Sequence, residues 1–204
     1  MRQSYQRFVK LVQDTQNVEV LYNYFENSVT APVDASDLLR WQWVQCISAF
    51  DKFVHDVVRV GMIEIFLGNR TQTPRYNTFQ IDIQTYEDMA NNTADTSLIF
   101  EQKIVLKHGF LAFQDPKKVA DALSIIWNEN DRWGKISQQM GMDKNDCTKY
   151  LKNIVIRRNQ IVHEGDYTDN LSKRQDIFLQ DVIDIRNYIL KLGKAIYDCI
   201  TQSI

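Results

Sequence analysis

Apolar residues recur along this 204-residue chain at helical rather than strand spacing, and they do so almost from end to end. Phe8, Leu11, Val12, Val18, Tyr22 and Phe25 predict a first helix over about residues 4–27, with a break near Asp14-Thr15. Pro32 and the cluster Asp34-Ala35-Ser36-Asp37 then signal the start of a long helix from about Ser36 to Leu67, which Gly68 stops. Residues 69–84 form the least helical stretch, where the alternation of Phe79, Ile81 and Ile83 predicts a short extended piece at most.

Helical signals then return. A helix is predicted over about Thr96 to Lys107, and Asp115-Pro116 opens another that reaches about Trp127. A short helix runs from Asp131 to Met140 and stops at Gly141. Asp143 caps a further helix that Gly165 can terminate. After a polar turn, Asp166 to Asn170, a last helix carries Val182, Ile185, Ile189, Leu192 and Ile196 toward the C-terminus. No internal repeat or low-complexity tail interrupts this order. The simplest architecture is one all-α domain over residues 1–204, with a bundle core of about 36–203 and a partly irregular insertion at about 69–95.

Composition supports that class and removes others. Only 7 glycines and 3 prolines are present, too few for a turn-rich all-β design. The 24 basic and 26 acidic residues nearly cancel, so no bulk field marks a nucleic-acid binder. Cys46, Cys147 and Cys199 are isolated, form no CxxC pair and keep no metal-ligand spacing with His55, His108 and His163. Neither a metal nor a cofactor is therefore expected. The N-terminus lacks the apolar run of a signal peptide, and no window approaches 18 apolar residues, so a cytoplasmic protein without a membrane partner is expected. Dinucleotide, Walker, HExxH and nucleophile-elbow patterns are absent. Trp41, Trp43, Trp127 and Trp133 lie at helical positions among apolar neighbours and read as core or interface.

One segment poses a physical problem. At about 100° per residue, Leu151, Ile154, Val155, Ile161 and Val162 fall on one stripe, and Arg158 interrupts it. A guanidinium stays charged, and burying it unpaired costs several kcal/mol. Asn159 and His163, four residues apart, share the neighbouring face. The three polar groups converge into a candidate site. Arg157 faces outward, most simply as a solvated charge, although a phosphate could meet it there. On the long helix, Asp51 falls on the apolar face of Ile47, Phe50, Val54, Val57 and Val58, with His55 one turn further on. The economical expectation is a buried Asp51–Arg158 pair that joins the two helices, with His55 in support and Arg40 as a rival partner. A pair that only fixes helix register is the competing reading. His108 has no polar constellation near it.

These residues resemble a known family. Arg158-Asn159-Gln160-Ile161-Val162-His163 matches the arginine, polar residue and histidine motif of HEPN-domain proteins, with four residues between Arg and His. The segment Ser48 to Asp56 resembles the first core helix of the branch called RiboL-PSP-HEPN. Phe113-Gln114-Asp115-Pro116 with Trp133 is similar to its middle, and His163-Glu164-Gly165-Asp166 to its extension. The resemblance spans roughly residues 36–203. It implies an up-and-down helical bundle that forms a homodimer and acts as a metal-independent endoribonuclease on RNA, tRNA among the candidates. Arg158 would then stabilise phosphorane charge, Asn159 would position the scissile phosphate, and His163 would move the proton. It also implies a toxin–antitoxin or antiphage defence setting, with an antitoxin or defence-system protein as partner. Some members of the family are instead non-catalytic dimerisation, adaptor or RNA-binding modules. One departure stands out: toxins silenced by adenylylation carry a tyrosine two residues after the histidine, where this chain has Gly165.

Overall fold

The computed structural model describes residues 1–30, 34–92, 95–167 and 173–202. Pro32 of the expected start signal, residues 93–94 of the insertion, residues 168–170 of the polar turn and residue 203 of the core lie outside them. Nine α-helices run through the described residues. They are α1 (Arg2–Asp14), α2 (Asn17–Ser28), α3 (Ser36–Phe66), α4 (Ile83–Asn91) and α5 (Thr96–His108), then α6 (Pro116–Leu123), α7 (Arg132–Met140), α8 (Lys144–Glu164) and α9 (Leu179–Thr201). A 3-10 turn, Tyr76–Thr78, precedes α4. Extended pairing among the described residues is confined to one isolated bridge, Tyr167 to Arg174. The chain is all-α.

Local chemistry sets most boundaries. Asp115, Asp131 and Asp143 each accept a backbone N–H from the first turn of the helix that follows. Gly141 and Gly165 end α7 and α8 in the left-handed conformation, at φ 62° and 65°, which glycine adopts without a Cβ penalty. The first helix breaks where expected. Thr15 is buried there, and its hydroxyl donates to Val12 O at 2.7 Å, which satisfies a carbonyl at the end of α1.

Around α3 the rest is assembled. Its 31 residues pack against α1, α2, α5, α6, α8 and α9, so both of its apolar flanks are covered. A continuous cluster of buried side chains joins Phe8 and Val12 of α1 to Leu151 and Ile154 of α8 and Ile189 and Ile196 of α9. The N-terminal helix is thereby part of the core. Phe8 stacks on Phe53 at 4.7 Å and lies directly on α9 at Gly193. A Cβ at that glycine would stand 2.1 Å from the Phe8 ring, so only glycine allows this approach. No described helix is long and apolar enough to cross a membrane.

Two expectations about the middle of the chain need correction. Phe79, Ile81 and Ile83 do not form an extended piece. Ile83 is the first residue of α4 and is 77% exposed, so the apparent alternation straddles a helix start. Asp82 is the cause: its carboxylate accepts the Thr85 N–H at 2.8 Å, the geometry of an N-cap. Helix α6 also ends at Leu123, short of the expected Trp127, because 3-10-type bonds from Ile125 and Ile126 tighten the chain there.

Candidate functional site

The C-terminal end of α8 carries the polar residues singled out above, and a second charged cluster fixes it in place. Beyond Gly165 the chain takes another left-handed residue, Asp166 at φ 64°, whose N–H returns to Gln160 O at 3.0 Å. Two successive left-handed residues fold the chain back under α8. The Asp166 carboxylate thereby becomes fully buried, between Arg157 of α8 and Arg40 of α3. Arg40 donates to it at 2.8 Å, and Arg157 donates twice, at 2.9 and 3.2 Å. The same two arginines hold the described chain before α9: Arg40 donates to Gln175 O at 2.8 Å and Arg157 to Asp176 O at 2.9 Å. Trp43 closes the cluster, with its indole N–H on Ile154 O at 3.1 Å and the Arg157 guanidinium 5.4 Å above its ring.

Arg157 is therefore no solvated charge. Its side chain is one-fifth exposed, and its Nε and Nη2 donate to Asp166, Gln175 and Asp176. The outward orientation expected from helical arithmetic holds only while the chain beyond Gly165 is ignored. That chain covers the arginine.

Arg158 is bound differently. Its Nε is buried without a hydrogen-bond partner, while Nη1 donates to Asn159 Oδ1 at 3.1 Å. It forms no ion pair among the described residues. The residue is half-buried, its Nε out of reach of solvent, with donors to spare. Asn159 and His163 are both exposed one turn apart on the adjoining face, His163 in the last turn of α8. Ile156 lies beside them and is 47% exposed.

The expected Asp51–Arg158 pair does not form. Trp43 meets Ile154, while Arg40 and Arg157 share Asp166, so α8 runs antiparallel to α3 and its C-terminal end lies at the N-terminal end of α3. At about 1.5 Å per residue, Asp51 and Arg158 are then roughly 15–20 Å apart along the helix axes. Asp51 instead accepts the Phe113 N–H at 2.5 Å and faces His55 Nε2 at 3.9 Å. His55 also meets Leu111 O at 3.1 Å and packs on Phe113 at 4.3 Å between ring centres. Asp51 and His55 thus hold the α5–α6 connection, well away from Arg158.

Sequence reasoning overlooked Asp166 and left His108 unassigned. The signal for His108 was its spacing: Phe100, Ile104 and His108 recur at every fourth residue and are the three buried residues of α5. Burial, with His55 and Lys107 nearby, pulls the His108 pKa below the usual histidine value. Cys46, Cys147 and Cys199 are all buried, and burial pushes the Cys46 and Cys199 thiols up to about 11, where they are poor nucleophiles. Among the described residues no three His, Cys, Asp or Glu side chains gather as a metal site would require.

With this geometry in view, the chain can be compared with known proteins. The family model described as RiboL-PSP-HEPN aligns with residues 10–202. No curated protein and no solved structure shows significant similarity to the chain.

Proposed function

Because the chain belongs to the RiboL-PSP-HEPN family, we propose that it is a metal-independent endoribonuclease with Arg158, Asn159 and His163 as its site. The observation that carries this reading is the state of Arg158. Arg40 and Arg157 are each paired with Asp166, and Arg40 also with Asp37 at 3.6 Å, whereas Arg158 forms no ion pair among the described residues and keeps open donors beside an exposed amide and an exposed imidazole. A fixed cation on a rigid helix is what a pentacoordinate phosphate needs, because its extra negative charge appears only in the transition state.

RNA supplies the nucleophile itself. The 2′-oxygen attacks the adjacent phosphorus, the P–O5′ bond breaks, and the products are a 2′,3′-cyclic phosphate and a 5′-hydroxyl. His163 moves the proton, taking it from the 2′-hydroxyl or delivering one to the departing 5′-oxygen. Arg158 offsets the phosphorane charge, and Asn159 orients both Arg158, through the 3.1 Å hydrogen bond, and the phosphate. Arg157 has a structural part instead, its Nε and Nη2 donating to Asp166 and the chain before α9.

The direct test is purified protein with total RNA or tRNA in excess EDTA. Cleavage that persists and leaves 2′,3′-cyclic phosphate ends is the expected result. No cleavage of any RNA, with the protein folded, would leave a binding or dimerisation module instead. In this reading the whole chain works as one domain in a toxin–antitoxin or antiphage setting.

The protein is also expected to form a two-fold dimer through the outer face of α8. Ile156 and Val162 are 47% and 46% exposed and flank Asn159 and His163, so an isologous contact would bring two sites to one RNA strand. Light scattering should return twice the 24.0 kDa chain mass at micromolar concentration. Ile156→Asp should return the single-chain mass.

A further inference from the structure

A second polar constellation lies away from the end of α8. The 3-10 turn, the end of α5, the α5–α6 connection and α6 enclose an open cavity of about 280 Å³. That volume is close to the lower end of small-molecule sites, roughly 300 Å³. Asp51 and His55, which the sequence linked to the arginine, here brace one wall: both hold the α5–α6 connection, through the Phe113 N–H and Leu111 O. The cavity thus rests on the rigid middle of α3.

Its lining is chemically specific. Arg75 and Lys107 both face it, both are exposed, and neither forms an ion pair among the described residues. The Lys107 ammonium stands 5.3 Å over the Phe79 ring, which orients its charge. His108 lines the same wall, is only 7% exposed, and its Nδ1 has no hydrogen-bond partner. Folded proteins seldom leave a buried polar nitrogen so. Asp121 supplies one carboxylate from α6, and Phe79 and Leu111 supply apolar surface.

We infer that this cavity binds a nucleoside 5′-phosphate. Two unpaired cations receive the phosphate, Phe79 and Leu111 receive the base, and Asp121 accepts a hydrogen bond from a ribose hydroxyl. A carboxylate opposite two cations disfavours a bare polyanion and favours a phosphate ester that also carries donors. The ligand is either a free mononucleotide or the 5′-phosphate end of an RNA. This inference does not rest on Arg158, Asn159 or His163 acting as a nuclease.

The test uses full-length His163→Ala protein, so that RNA stays whole, and titrates it calorimetrically. The probes are the four nucleoside 5′-monophosphates, a short RNA with a 5′-phosphate, the same RNA with a 5′-hydroxyl, and inorganic phosphate. Saturable binding of a monophosphate or of the 5′-phosphorylated RNA, weakened at least tenfold by Arg75→Ala/Lys107→Ala, supports the site, and the tighter of the two ligands identifies its source. Both substituted side chains are exposed and unpaired, so the variant's melting temperature should match the parent's. Absence of binding by both phosphorylated probes overturns the inference. So does equal binding by the double variant, by the 5′-hydroxyl RNA, or by inorganic phosphate.

Discussion

Replacing His163 with alanine is expected to abolish RNA cleavage and leave the fold untouched. The imidazole is exposed in the last turn of α8, so stability should stay within about 0.5 kcal/mol of the parent. Loss of a proton-transfer group costs on the order of 10²–10⁴ in rate. Arg158→Ala should lose a further electrostatic contribution of about 10²–10³ and also some stability, because the side chain is partly buried up to its Nε. Asn159→Ala removes the one hydrogen bond Arg158 makes among the described residues and should slow cleavage with stability nearly unchanged. Single-turnover assays on one defined RNA, paired with thermal melts, separate the three. A His163→Ala protein that cuts as fast as the parent would remove the catalytic reading.

The residues of that prediction were legible in the sequence for a definite reason. Arg158, Asn159 and His163 share one helix, so 100° per residue fixes their mutual directions without any tertiary information. Helix boundaries were legible in the same way where the signal is local, as at Asp131, Asp143, Gly141 and Gly165. The Asp51–Arg158 pair was not. Periodicity gives the azimuth of a residue around its helix and says nothing about the height at which another helix crosses. Both residues do interrupt apolar stripes, but α8 meets α3 near Trp43 rather than near Asp51. Arg157 failed for a related reason. What covers it is Asp166, which reaches it only because Gly165 and Asp166 both turn left-handed, a path that no stripe on α8 can report.

Asp166 therefore gives the second large expected effect, this time on stability. Asp166→Asn keeps a side chain that tolerates positive φ, so the substitution isolates the charge from the backbone. It leaves Arg157 without a carboxylate and Arg40, 5% exposed at its side chain, with the more distant and exposed Asp37 at 3.6 Å in place of a buried partner at 2.8 Å. Breaking a buried pair from one side costs about 3–5 kcal/mol, because the remaining cation has lost water and partner alike. For a chain of this length that corresponds to a melting temperature lower by about 6–20 °C. Asp166→Ala should be worse, since a left-handed alanine adds about 1–2 kcal/mol. Arg157→Met in the Asp166→Asn background removes one of the stranded charges, and the double variant should be more stable than the sum of the single changes predicts. Additive losses would mean that Asp166 and Arg157 are not energetically coupled, and the charged cluster would no longer explain what holds the His163 end of α8.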